Sequence, residues 1–188
     1  MLDPIQAILM AMTPYKLDHE EPAERRDRMA IIAQAIDEAA ERATCRASDT
    51  CHPVIGDRRL AVALLLEVGS HESHFAKYVH ENRCSEGPDH CDADRNGEAR
   101  ARSPWQLWRV AVNPTNDWDR IGGADLDSTR LAAWHAVVRL AGSRAKCQEL
   151  YSDPIQSMIA GYAGGCLRLS KDVVIGRAAN VRRFMSKL

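Results

Sequence analysis

The chain has 188 residues, of which 45% are hydrophobic and 27% charged, the proportions of an ordinary soluble globular domain. Lys and Arg number 25 against 26 Asp and Glu, a formal net charge of -1. That balance argues against a nucleic-acid partner, whose footprint would be a basic excess. No stretch approaches the roughly 20 apolar residues of a membrane span, so none is expected.

The first residues, MLDPIQAILMAM, carry Asp3 and Pro4 early and lack a basic leader, which makes them a poor secretory signal. Residues 1–20 read as a short apolar segment and a polar link. The stretch EPAERRDRMAIIAQAIDEAAERA predicts a helix: Pro22 suits its first turn, and Met29, Ile32, Ala33, Ile36 and Ala40 share one face. Residues 46–56 read as a loop. The most apolar helix is predicted from Asp57 to about Val79, and a long loop follows over 80–102, compatible with a short hairpin within it. Ser103 and Pro104 have the look of an N-cap and first helical residue. Further helices are predicted at about 127–149, 153–163 and 170–187. The basic residues Arg177, Arg182, Arg183 and Lys187 read as a solvated face of the last of these. The expected fold is therefore mainly α (α-rich α+β at most). It would be one domain, in which residues 1–56 pack on a core formed by 57–188.

One position on the 57–79 helix stands out. Ala61, Leu65, Val68, Glu72, Phe75 and Val79 recur at steps of three and four, so one carboxylate shares a stripe with five apolar residues. Desolvation there would favour the protonated carboxyl, which is what a glycosidase requires of its general acid. A buried ion pair with an arginine is the plain alternative. Glu67 falls on another face with Leu60, Leu64, His71 and His74, and reads as half of a local Glu–His pair.

The residues around Glu72, His71-Glu72-Ser73-His74-Phe75, resemble the Glu-Ser-x-Phe signature of lytic transglycosylases and goose-type lysozymes. Ser103-Pro104-Trp105-Gln106 is similar to that family's Gly-x-x-Gln segment, with serine in place of glycine. Gly161-Tyr162-Ala163-Gly164-Gly165 is similar to its Ala-Tyr-Asn-x-Gly motif, with Ala163 in place of asparagine. The resemblance spans roughly residues 58–166. It implies a lysozyme-like helical fold with a substrate cleft for peptidoglycan, cut at the β-1,4 bond between N-acetylmuramic acid and N-acetylglucosamine. Glu72 would be the catalytic acid/base. Ser73, Trp105, Gln106 and Tyr162 would serve the substrate, with Trp108 a second aromatic surface. The lyase version closes a 1,6-anhydro ring and needs no second carboxylate. A hydrolase would require one, for which Asp92, Asp94 and Glu98 are the candidates. The resemblance implies no cofactor.

Metal readings are weaker. Asp92-Ala93-Asp94-Arg95-Asn96-Gly97 opens like an EF-hand loop, but Ser103 stands where the bidentate glutamate belongs. His71 and His74, one residue short of the zinc-peptidase spacing, would need His80, His90 or Cys84 to complete a site. No metal is expected. The six cysteines pair by sequence order as Cys45 with Cys51, Cys84 with Cys91 and Cys147 with Cys166, one of many pairings open to them. Free buried thiols and metal ligation are the other readings. Disulfides would imply work outside a reducing cytoplasm, in an exported or virion-associated phage protein with other virion proteins as partners. A binding or structural protein on the same fold is the competing function.

Overall fold

The computed structural model describes residues 2–14, 20–44, 54–83, 100–112 and 115–188. These form seven α-helices and one two-stranded sheet. Helix α1 (Pro4–Ala11) starts at Asp3, whose carboxylate accepts from the Ile5 and Gln6 N–H groups, with Pro4 in the first turn where no N–H is needed. Helix α2 (Pro22–Thr44) buries Met29, Ile32, Ala33, Ile36 and Ala40, the face its periodicity predicted. Ala35, Ala39 and Ala43 widen that face and let neighbouring helices approach closely. Helix α2 packs against α1, against α3 (Arg58–Ser73) and against α5 (Leu126–Cys147). Helix α6 (Pro154–Tyr162) lies on α5, and α7 (Lys171–Met185) packs on α3 and α6. Asp57, Asp125, Asp153 and Ser170 cap α3, α5, α6 and α7 with their side chains.

Helix α3 is the centre of the fold. Every residue from Ala61 to Gly69 is buried, so its surroundings are protein on all sides. The single helix expected over 57–79 is corrected here. It ends at Ser73, and a short α4 (Lys77–His80) follows after a sharp turn. His74 and Phe75 both take left-handed backbone angles, φ 54° and 51°. Ser73 explains the break: its Oγ donates to the Gly69 carbonyl at 3.0 Å and accepts from the Phe75 N–H at 3.1 Å. Arg28 of α2 donates to the Phe75 carbonyl at 2.6 Å. The Phe75 ring then folds back over Gly69, where a Cβ would lie 2.3 Å from the ring's Cζ, so only glycine admits it.

The expected helix start at Ser103 and Pro104 is also corrected. Strands β1 (Ala101–Arg102) and β2 (Leu107–Trp108) pair antiparallel, Ala101 with Trp108 and Arg102 with Leu107, and residues 103–106 turn between them. The Ser103 carbonyl accepts from the Gln106 N–H at 3.0 Å, with Ser103 at φ 69° and Gln106 at φ 47°. Proline's fixed φ suits the second residue of such a turn as well as the first turn of a helix, so the local signal fits both. The Trp105 side chain decides between them, its indole N–H donating to the Leu65 carbonyl of α3 at 3.0 Å. Among the described residues, no helix is long and apolar enough to cross a membrane.

Candidate functional site

The C-terminal end of α3, the β hairpin, and the loop after α6 enclose a cleft of about 620 Å³. Glu72 and His71 reach it from α3, Gln106 and Trp108 from the hairpin, and Tyr162 from the end of α6. Arg139 of α5, Arg168 of the following loop and Arg177 of α7 complete the polar lining. The three segments of resemblance, well separated in sequence, thus meet around one cavity, each supplying at least one lining side chain.

Glu72 is not packed into the core like the rest of its stripe. Its side chain is 25% exposed, and Arg177 Nη1 donates to its Oε1 at 3.2 Å. The guanidinium is itself buried and turned mainly to a second acid. Arg177 Nε and Nη2 donate to Glu67 Oε1 and Oε2 at 2.9 and 3.0 Å. The Glu–His pair expected at Glu67 is therefore replaced by a two-point ion pair, and Arg177 is no member of a solvated basic face. Burial pushes the Glu67 carboxyl above its usual range, opposed by Arg177 and helped by the charge of Glu72. His71, exposed at the cleft mouth, is held below its ordinary range by partial desolvation of its ring and by Arg177.

The remaining expected residues divide by where their side chains go. Trp108 is 42% exposed and lines the cleft, whereas the Trp105 ring is fully buried against Phe75, 6.4 Å between centroids and edge to face. Trp105 therefore offers no face to a sugar. Gln106 lines the cleft, its side-chain amide donating to the Ser103 carbonyl at 3.2 Å. Ser73 is fully buried and committed to the turn described above, so it meets no ligand. Tyr162 borders the cleft, but its hydroxyl donates to the Trp105 carbonyl at 2.7 Å and not to Glu72. Burial pushes that hydroxyl's pKa up, so it stays a donor. Arg139 Nε and Nη2 donate to the Tyr162 carbonyl at 3.2 and 2.8 Å, and its guanidinium sits 5.0 Å from the centre of the Tyr162 ring.

Arg139, Arg168 and Arg177 are lining residues that no sequence motif singles out. Arg177 had a signal in retrospect, since a glutamate on the innermost helix needs a cation somewhere in the chain. Among the described residues, no three metal-ligating side chains converge. The EF-hand-like segment 92–97, Glu98, Cys84 and His90 lie outside the described residues, as do Cys45, Cys51 and Cys91. Cys147 and Cys166 form a disulfide, the pairing given by sequence order.

Compared with models of known protein families, with curated proteins and with solved structures, the chain matches none.

Proposed function

We propose that this protein is a lysozyme-like enzyme that cleaves the glycan strands of bacterial peptidoglycan at the bond between N-acetylmuramic acid and N-acetylglucosamine, with Glu72 as its acid/base. The observation that carries the reading is the position of Glu72. It is the one carboxylate among the described residues lining the cleft, beside an exposed tryptophan suited to a sugar face. Protonated Glu72 donates to the glycosidic oxygen as the bond to the muramoyl C1 breaks. The resulting carboxylate takes the proton of the muramoyl 6-hydroxyl, whose oxygen bonds to C1 and closes the 1,6-anhydro ring. No water is consumed and the enzyme regains its proton, so a single carboxyl serves both steps. This is a lytic transglycosylase reaction, which needs no second carboxylate, whereas a hydrolytic lysozyme would require one.

The ion pair of Glu72 with Arg177 favours a second reading, a binding or structural protein on the same fold with an idle cleft. Purified sacculi separate the cases. Release of products lighter by one water with no reducing muramic end, lost in Glu72→Gln, supports the lyase. Reducing-end products would mean a hydrolase, and no release by the unaltered protein would leave the binding protein. The Cys147–Cys166 disulfide supports action outside a reducing compartment, in the periplasm or wall or as part of a phage particle among other virion proteins.

A further inference from the structure

The cleft does not end at Tyr162. An adjoining cavity of about 460 Å³ shares Val110, Arg139 and Gly164 with it and continues to Lys146 and the Cys147–Cys166 disulfide. Among the described residues lining the two cavities, the cations are Arg139, Lys146, Arg168 and Arg177, and the carboxylate is Glu72. Arg177 is matched by Glu67 and Glu72. The adjoining arm itself is lined by two cations, Arg139 and Lys146, with no acid among its described lining residues, and Arg168 lines the main cleft beside Gly164, which both cavities share. A chain of net charge -1 has no general surplus of cations to scatter there.

The arm is also built to hold its shape. Gly161 lets α6 sit against Ser143 of α5, where a Cβ would fall 2.5 Å from the Ser143 Cβ. Gly164, at φ 99°, turns the chain beneath Arg168, and a Cβ there would lie 2.9 Å from Arg168 Nη1. The disulfide holds the loop carrying Arg168 to the end of α5, with Cα atoms 5.4 Å apart. Arg139 gives two donor nitrogens to the Tyr162 carbonyl, which fixes the guanidinium and leaves Nη1 without an acceptor among the described residues.

We infer that Arg139, Lys146 and Arg168 form a binding site for carboxylates carried by the muramoyl groups of the strand. The inference rests on the peptidoglycan reading and names the substrate feature that this arm selects. Guanidinium and ammonium groups in a fixed concave wall match that anion in charge and hydrogen-bond geometry. Two sources present it: the lactyl carboxylate of a peptide-free muramoyl residue, or the free carboxylates of a stem peptide amide-linked at that position.

The test uses the full chain carrying Glu72→Gln, titrated with three soluble ligands of equal length. These are peptide-bearing strands, amidase-stripped strands, and a neutral N-acetylglucosamine oligomer. Both charged ligands should bind roughly tenfold more tightly than the neutral one at low salt, and the gap should close as salt screens it. Arg168→Gln with Lys146→Gln should remove the gap between charged and neutral ligands. Both side chains are exposed, and an unchanged melting curve verifies that the variant folds. Whichever charged ligand binds more tightly identifies the source of the carboxylate. Equal affinity for charged and neutral ligands, or a gap that survives the double substitution, overturns the site. Catalysis plays no part in this measurement. A carboxylate preference in a protein that releases nothing from sacculi would count against the enzyme reading and leave the site standing.

Discussion

Arg177 and Glu67 meet through two hydrogen bonds, Nε to Oε1 at 2.9 Å and Nη2 to Oε2 at 3.0 Å, across 110 residues of sequence. Their side chains are 4% and 3% exposed, so neither charge has water as an alternative partner. Helices α3 and α7 are joined at this point, and the remaining donor of the guanidinium reaches Glu72 in the cleft. A single cation therefore ties the core to the site.

Removing that cation should be costly because Glu67 would stay buried without a partner. Arg177→Met is expected to lower unfolding stability by about 3–5 kcal/mol in urea titrations. Adding Glu67→Gln should recover a large part of the loss, since no lone charge then remains. Glu72→Gln alone should cost about 1 kcal/mol or less, its side chain being partly in water. An Arg177→Met protein as stable as the parent would refute the structural role of the pair.

Trp105 and Trp108 should separate stability from activity. Trp105 is wholly buried with its indole N–H bonded to the Leu65 carbonyl, so Trp105→Ala should cost about 3–5 kcal/mol. Trp108→Ala should melt within a few degrees of the parent and lose sugar affinity, read as a rise in KM on soluble strands. Equal losses of stability in the two variants would contradict this division.

His80 should make the protein acid-sensitive. Its Nε2 lies 2.8 Å from Thr129 Oγ1, whose own hydrogen goes to the Asp125 carbonyl at 2.7 Å. Nε2 must therefore be the protonated nitrogen, and the buried Nδ1 has no partner among the described residues to receive a proton that it gains. Burial first, and the Arg28 charge second, push the pKa down to about 3. Between pH about 6.5 and about 3 the unfolded chain binds a proton that the native state refuses. Stability is thus fully present above that window and falls with pH, by up to about 1.4 kcal/mol per pH unit. His80→Gln can keep the donor to Thr129 and should flatten this slope by one proton between pH 6 and 4. An unchanged slope would show that His80 titrates normally.

The Cys147–Cys166 disulfide closes a loop with a sequence separation of 19. Replacing both cysteines with alanine should lower stability by about 3 kcal/mol, chiefly by freeing the unfolded chain. The same variant should bind charged strands more weakly, because the loop bearing Arg168 loses its tether to α5. Unaltered stability in the double variant would mean that packing alone holds this segment.

Much of the helical framework is legible in the sequence because its causes are local. Asp57, Asp125, Asp153 and Ser170 satisfy the first free N–H groups of their helices from within a few residues, and the apolar faces repeat with the helical period. The break at Ser73 is harder to see. It depends on the Phe75 ring finding space over Gly69 and on Arg28 arriving from another helix, and periodicity reports neither.

Among the site residues, sequence alone pointed to Glu72 as the exceptional carboxylate of an apolar stripe, and to three segments belonging together. Tertiary structure decided what each side chain could do. Trp105 and Trp108 are three residues apart, yet a two-residue strand pairing sends one ring into the core and leaves the other partly in solvent. Glu67, five residues before Glu72, gains its partner only when the last helix docks. Helix periodicity and capping act over a few residues and are written in the local order. Ion pairing and burial are set by which distant segments the hydrophobic core brings together, and that is a property of the whole chain.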